Sequence, residues 1–309
     1  MAETFMIKVN NISKQYKAGK GKVQALDGIS FNVPRGELFG IVGPDGAGKT
    51  TLFRILTTLL TADKGEAAID GLDVIKDYKQ IRQRVGYMPG KFSLYQDLSV
   101  RENLDFFATI FNTTIKENYH LIADIYEQIR PFEKRRAGKL SGGMKQKLAL
   151  SCALIHKPAV LFLDEPTTGV DAVSRKEFWE MLRKLKTSGI TILVSTPYMD
   201  EAAKCDRVAL MQAGKLMSIN SPAGIIAQFG KQLYAVRASK MHQLLQELKK
   251  FEGADDVYPF GEFHHVVMKE KGNGHLLKAH LSGYHDSELE IKEAVPDIED
   301  CFMELMKTV

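Results

Sequence analysis

Eight residues near the start of the chain, Gly43-Pro44-Asp45-Gly46-Ala47-Gly48-Lys49-Thr50, carry the spacing G-x-x-x-x-G-K-[ST]. Glycines at these positions let the backbone wrap close to an anion, so that successive N–H groups point at phosphate oxygens. A helix beginning there offers its N-terminus to the same anion. Lys49 would neutralise the β- and γ-phosphates, the Thr50 hydroxyl would ligate Mg²⁺, and Thr51 completes the candidate set on this segment. A second constellation, Ala159-Val160-Leu161-Phe162-Leu163-Asp164-Glu165, sets an apolar run before two carboxylates. Asp164, at the run's end, can hold Mg²⁺ through a water, and Glu165 can orient and polarise a water that attacks the γ-phosphate. Alone, such a run is more often a strand-edge cap. With the glycine loop upstream it predicts that the chain binds a nucleoside triphosphate.

These residues need a frame. Strand-like runs Met6–Val9, Ile29–Val33 and Leu38–Val42 precede the loop, and a helical pattern runs from Lys49 to about Leu60. From about Ser99 to Ile129 apolar residues fall at helical spacing (Leu104, Phe107, Ala108, Phe111, Leu121, Ile125, Ile129), which predicts an all-helical insert. A helix from about Met144 to Ile155 follows. Ala159–Leu163 is too short and too apolar for anything but a strand buried on both faces. Helix Ala172–Lys186, strand Thr191–Ser195, helix Met199–Ala203 and strand Val208–Met211 continue an alternation that predicts an α/β parallel sheet. Near residue 230 the pattern becomes β-α-β-β-α-β, the ferredoxin-like order, closed by a helix over Ile298–Met306. The expected organisation is a domain over 4–230, with the helical insert at about 99–155, and a small α+β domain over 231–309.

A third motif, Leu140-Ser141-Gly142-Gly143-Met144, lies just before the Asp-Glu run. It would form a second helix N-terminus whose hydroxyl and backbone donors suit a γ-phosphate. In isolation it would read as an ordinary serine-capped helix start. In the order phosphate loop, helical insert, LSGG, Asp-Glu strand, it resembles the signature of the ABC ATPases. Pro166-Thr167-Thr168-Gly169-Val170-Asp171 looks like that family's D-loop, and Tyr16 stands where the family stacks an aromatic on adenine. The resemblance spans about residues 4–230. It implies a P-loop NTPase sheet with a helical subdomain, ATP and Mg²⁺ as cofactors, and a head-to-tail dimer. In that dimer each ATP lies between one subunit's phosphate loop and the other's Ser141, Gly142 and Gly143. It also implies an ATPase coupled to transport, acting through a groove against an integral membrane permease at the inner face of the cell membrane. The C-terminal segment Val295–Met306 resembles subunits of ABC-2-type exporters.

Two positions depart from the family pattern. Gly90, after Val85-Gly86-Tyr87-Met88-Pro89, stands where the family has a glutamine that touches Mg²⁺ and the attacking water. Pro197, after the strand Thr191–Ser195, stands where the family has a histidine that holds the γ-phosphate, and proline has no donor. The expectation is an ATP site that binds well and hydrolyses slowly, joined to a sound site in an asymmetric heterodimer. A homodimer is the alternative. Rival readings are an ATP-binding regulatory subunit with little catalysis, and a soluble ABC ATPase acting on ribosomes or DNA. The latter usually carries paired cassettes or a long coiled coil, and neither is visible here.

Composition sets outer bounds. Of 309 residues, 44% are hydrophobic and 26% charged, which excludes disorder and fibrous classes. A net charge of +4 with interspersed signs makes no case for nucleic acid. Cys152, Cys205 and Cys301 lack zinc spacing and fit buried or free thiols. The start of the chain lacks the apolar core of a signal peptide, and no stretch approaches the ~20 apolar residues of a membrane span. His264 and His265 would point to opposite faces of a strand. With His275 and His280 they could suggest a metal, but no cysteine or well-spaced carboxylate joins them. The basic run Lys134-Arg135-Arg136 with Lys139 reads as a solvated face, and the lysine-rich Lys17–Lys22 as a loop.

Overall fold

The computed structural model describes residues 5–307 apart from 20, 92 and 285. Residue 4, the expected start of the first domain, lies outside the described residues, as do 308 and 309 at the end of the second. The chain divides into two compact units, 1–222 and 223–309.

The first unit is built on a six-stranded sheet in the order Lys215–Asn220, Arg207–Gln212, Leu38–Val42, Thr191–Thr196, Val160–Asp164, Val85–Met88. All neighbours are parallel except Lys215–Asn220, which runs antiparallel to Arg207–Gln212. Every residue of the three central strands is buried, as continuous apolar runs in a doubly covered parallel sheet require. Register then sets the site. Val42 pairs with Thr196 and Asp164 with Ser195, so three strand C-termini deliver the phosphate loop, the carboxylate pair and a Ser-Thr end to one edge.

A second, antiparallel sheet of four strands (Gly21–Pro34, Phe5–Ala18, Lys64–Ile69, Leu72–Asp73) was not foreseen in the sequence as a separate layer. Its long first strands are buried on one face only, and the alternation in Gly21–Pro34 begins only near Leu26. Phe31 of this sheet stacks on Phe39 of the parallel sheet, rings 5.3 Å apart, within one shared core. The run expected as a loop at Lys17–Lys22 is a hairpin end: Lys17 pairs with Lys22 and Ala18 with Gly21, with Lys20 outside the described residues.

The helix after the phosphate loop, Lys49–Leu56, stops four residues before the expected Leu60. The Thr57 hydroxyl donates to Phe53 O at 2.8 Å, and Thr58 turns to φ +62, which ends it. The insert holds Val100–Ile110 and Ile115–Tyr126, with a break at Asn112 (φ +52). Ser99 with Glu102, and Thr114 with Glu117, form capping boxes that fix both starts. Gly142–Leu154 and Ala172–Thr187 follow as foreseen, to within two residues at either end.

In the second unit the strand order is Ala254–Phe260, Phe263–Met268, Leu233–Arg237, Glu290–Ala294, all antiparallel, which is the ferredoxin-like order. Leu244, Leu248, Leu277 and Leu281 from the intervening helices pack on Val236, Val266 and Met268. His264 and His265 do face opposite ways: His264 Nε2 is 2.8 Å from Met241 O, and His265 Nδ1 is 2.6 Å from Asp300 Oδ1. Asp300 is the carboxylate that sequence spacing gave no reason to pair with a histidine. It also accepts from the Tyr258 hydroxyl at 2.7 Å and anchors helix Ile298–Met306. Among the described residues no helix is long and apolar enough to cross a membrane, and the three cysteines are buried and free.

Candidate active site

The phosphate loop links strand Leu38–Val42 to helix Lys49–Leu56. Its two ends are wedged into the fold. A side chain at Gly43 would meet Met211 O at 2.1 Å, and one at Gly48 (φ +107) would meet Ala25 O at 2.4 Å. Only glycine fits, so the loop holds one path. Gly43 N–H donates to Thr196 O (3.3 Å), Ala47 N–H to Pro44 O (3.2 Å) and Gly214 N–H to Ala47 O (2.9 Å). Asp45 and Gly46 form the exposed apex. The helix has no side-chain cap and no acidic residue in its first turn. Its leading N–H groups are therefore directed toward the loop, in a field that favours an anion.

Lys49 is only 3% exposed. Its Nζ donates to Gly43 O (2.7 Å) and Pro44 O (2.9 Å) and lies 3.1 Å from Glu165 Oε1. Two motifs more than a hundred residues apart thus meet at one ammonium. Glu165 has φ +50, a region a residue with a Cβ seldom adopts, and its N–H donates to Ser195 Oγ (3.0 Å) and Ser195 O (3.1 Å). Asp164, 2% exposed, accepts from the Ser195 hydroxyl at 2.6 Å. Burial, with the Asp164 charge adding to it, pushes the Tyr87 phenol up to about 12.

The donor set suits Mg²⁺. A hydroxyl (Thr50) and a carboxylate (Asp164) are hard oxygen donors, and one hydrogen bond leaves Asp164 with acceptor capacity. Among the described residues there is no group of three or more His, Cys, Asp or Glu that could hold a metal.

Tyr16 is 37% exposed, and its hydroxyl is 3.4 Å from Thr51 Oγ1. Val23, its cross-strand partner and 54% exposed, extends the same apolar platform. Nothing in the sequence marked it, because its role depends on the hairpin register. Ser141 caps helix Gly142–Leu154 by accepting from Met144 N–H at 3.4 Å. A side chain at Gly142 would lie 3.4 Å from Gly169 O, and one at Gly143 2.6 Å from Ser174 Oγ. The LSGG segment is therefore packed on the D-loop-like segment and the following helix.

Gly90 abuts the carboxylate strand: an added Cβ would be 3.0 Å from Asp164 O and 3.7 Å from Glu165 Cβ. Pro197 is half-buried directly after Thr196. The Thr196 hydroxyl donates to Glu201 Oε2 (2.5 Å), as does Thr167 (3.0 Å), and Glu201 is fully buried beside Arg175. Gly90 also lines an apolar groove of about 390 Å³ formed with Met88, Leu94, Phe107, Ala149 and His156. Burial holds the His156 ring below its usual pKa.

This fold and site define a nucleotide-binding protein of the P-loop class with a helical insert. The family profile described as "ABC transporter" matches residues 26–168. The chain is 38% identical over 306 residues to "Probable multidrug ABC transporter ATP-binding protein YbhF" of Escherichia coli (strain K12), covering 97% of this chain and 52% of that protein. It thus spans about half the length of that relative. It is 35% identical over 303 residues to "Nod factor export ATP-binding protein I" of Burkholderia orbicola (strain AU 1054), covering 97% of this chain and 96% of that one. Among solved structures, a dimeric ATP-binding cassette in a post-hydrolysis state with ADP and Pi superimposes with TM-score 0.65 at 25% identity, over 70% of this chain and 98% of that one. The chain belongs to the family of ABC transporter ATP-binding proteins.

Proposed function

We propose that this chain is the ATP-binding subunit that powers an ABC exporter, working with Mg²⁺ and paired with a second ABC ATPase subunit. It would sit on an integral membrane permease at the inner face of the cell membrane. The carrying observation is the meeting of Lys49 with the Gly43 and Pro44 carbonyls and with Glu165 at 3.1 Å, beside the buried Asp164. A γ-phosphate bound by the loop would take over the Lys49 ammonium and free Glu165 to accept the proton of an attacking water, while ADP departs. Mg²⁺, when bound through Thr50 and Asp164, would neutralise charge between the β- and γ-phosphates. The base would lie on Tyr16 and Val23. Ser141, Gly142 and Gly143 would close the γ-phosphate site of a neighbouring subunit. The apolar groove along Gly90 and Phe107 would receive a segment of the permease. Export is taken from the relatives, which are named for Nod factor export and doxorubicin resistance.

Pro197 and Gly90 support a finer reading: this subunit's own site binds ATP but hydrolyses it slowly, and it works in a heterodimer or as a regulatory subunit. ATP binding with and without Mg²⁺ tests the main reading. The natural chain should bind tightly, and Lys49→Ala should lose binding. Equal binding by the variant sinks the reading.

A further inference from the structure

Ser195 was not a candidate in the sequence, yet it touches both acids. It lies at the C-terminal end of strand Thr191–Thr196, fully buried, beside Asp164 in register. Its hydroxyl donates to Asp164 Oδ1 at 2.6 Å and accepts from Glu165 N–H at 3.0 Å. A hydroxyl can do both at once, and an alkyl side chain can do neither. The first bond fixes the carboxylate plane of Asp164. The second, with the 3.1 Å bond to Ser195 O, holds the left-handed turn at Glu165 that aims its carboxylate at Lys49. The next residue binds the other half of the site, since Thr196 O accepts from Gly43 N–H of the phosphate loop. At Pro197 the chain has no N–H to donate.

We infer that Ser195 is a positioning residue of the Mg–ATP site: its hydroxyl sets Asp164 for the magnesium shell and holds Glu165 on the attacking water. This rests on the reading of the site given above. Residues that orient a metal's partners typically govern affinity or activity by about 10–100-fold.

Thr and Val are nearly isosteric and both suit a buried strand, so Ser195→Thr against Ser195→Val isolates the hydroxyl, with Ser195→Ala as a third form. The full chain would be titrated with a fluorescent ATP analogue at rising Mg²⁺, and hydrolysis followed at saturating Mg–ATP. In Ser195→Val and Ser195→Ala the half-saturating Mg²⁺ should rise about tenfold or more and kcat should fall by a similar factor. Metal-free nucleotide affinity should stay within about threefold, and Ser195→Thr should restore both quantities. Two results overturn the inference: an unchanged Mg²⁺ requirement in Ser195→Val, or a Ser195→Thr chain as impaired as Ser195→Val. A Lys49→Ala chain that binds the analogue as the natural one does fails the ATP-site reading itself, whatever Ser195 does.

Discussion

Replacing Pro197 by histidine is the sharpest perturbation of the catalytic reading. The turn does not depend on the proline ring: Tyr198 N–H donates to Thr196 Oγ1 at 3.1 Å, and that hydroxyl is tied to the buried Glu201. A histidine can therefore enter without rebuilding the strand end. The loss of a φ-restricting residue costs about 0.4–1 kcal/mol of stability through the unfolded state. Against this, a positioned donor on transition-state charge is worth about 10²–10³ in kcat, or about 2.7–4 kcal/mol. Gly90→Gln is a different matter. Its Cβ would lie 3.0 Å from Asp164 O, so the strand end bearing both acids must shift by a few tenths of an ångström. Such overpacking costs about 1–3 kcal/mol and falls on the Asp164–Ser195 bond. The expected order of phosphate release at saturating Mg–ATP, above a Lys49→Ala baseline, follows. Pro197→His gains about 10²-fold, Gly90→Gln gains little or loses, and the double replacement falls below Pro197→His alone. A natural chain that already turns over at about 1–10 s⁻¹ and is indifferent to Pro197→His would refute the reasoning. So would a Gly90→Gln chain as active as Pro197→His.

The phosphate loop should discriminate between its glycines: Gly48→Ala, with its clash at 2.4 Å, abolishes nucleotide binding, whereas Gly46→Ala, strained by its φ of +79 but with nothing within 4 Å to meet, weakens it and keeps measurable affinity by calorimetry. Tyr16→Ala should weaken ATP binding about tenfold, in line with base stacking of about 1–3 kcal/mol, while Tyr16→Phe, which loses only a 3.4 Å contact, should bind within about twofold in the same titration. In the second unit, hydrogen bonds from Lys231 and Lys307 hold the Asp255 carboxyl down at about 2, against 3.8 for a free aspartate. A lowered folded-state pKa contributes stability that is full above about pH 4 and lost as pH falls toward 2. Thermal melts between pH 5 and 2.5 should show that loss, and Asp255→Asn should flatten it. Truncating Asp300 to alanine leaves the buried His265 and Tyr258 without this hydrogen-bond partner, a change of about 1–3 kcal/mol for each. Limited proteolysis of the full chain should then cut within residues 223–307, and an unaltered digestion pattern would count against the anchor.

The central sheet was legible because buried parallel strands are written as unbroken apolar runs: Leu38–Val42 is read with its observed ends, and Val160–Asp164 is displaced by one residue. Of the four-stranded antiparallel sheet only the runs Met6–Val9 and Ile29–Val33 were legible, each as part of a longer strand. Lys64–Ile69 reads Lys-Gly-Glu-Ala-Ala-Ile, and its burial comes from neighbours 51 to 62 residues away rather than from its own pattern. Helix ends slipped for a local reason, since Thr57 bonds back to Phe53 and no proline or glycine announces the stop. The motif residues Lys49, Asp164 and Glu165 were visible because their types are dictated by phosphate and metal chemistry. Ser195, Val23 and Glu201 were not, because their neighbours are set by pairing and packing: a serine on an apolar strand carries no meaning until Asp164 is known to lie beside it. Asp300 and His265 belong to the same class of late information, a pair 35 residues apart joined by packing.

Asymmetric pairing draws its support from the unequal condition of this chain's two contributions to a head-to-tail dimer. The contribution to a neighbour is sound: Ser141 and Gly142 stay exposed at the start of a capped helix, and Gly143 is wedged against Ser174 so closely that the segment has one position to occupy. The contribution to its own site keeps the groups proposed to bind, with Lys49 and Asp164 buried and loop ends that only glycine fits. It lacks a donor at Pro197, where the family resemblance implies a histidine that holds the γ-phosphate. On the proposed reading, binding and closure would depend on the first set of groups and the rate of reopening on the second. A homodimer of such chains would close twice and reopen slowly at both sites. Joined to a subunit with an intact site, the same chain would offer one long-lived closed half and one that cycles, which is the arrangement we propose.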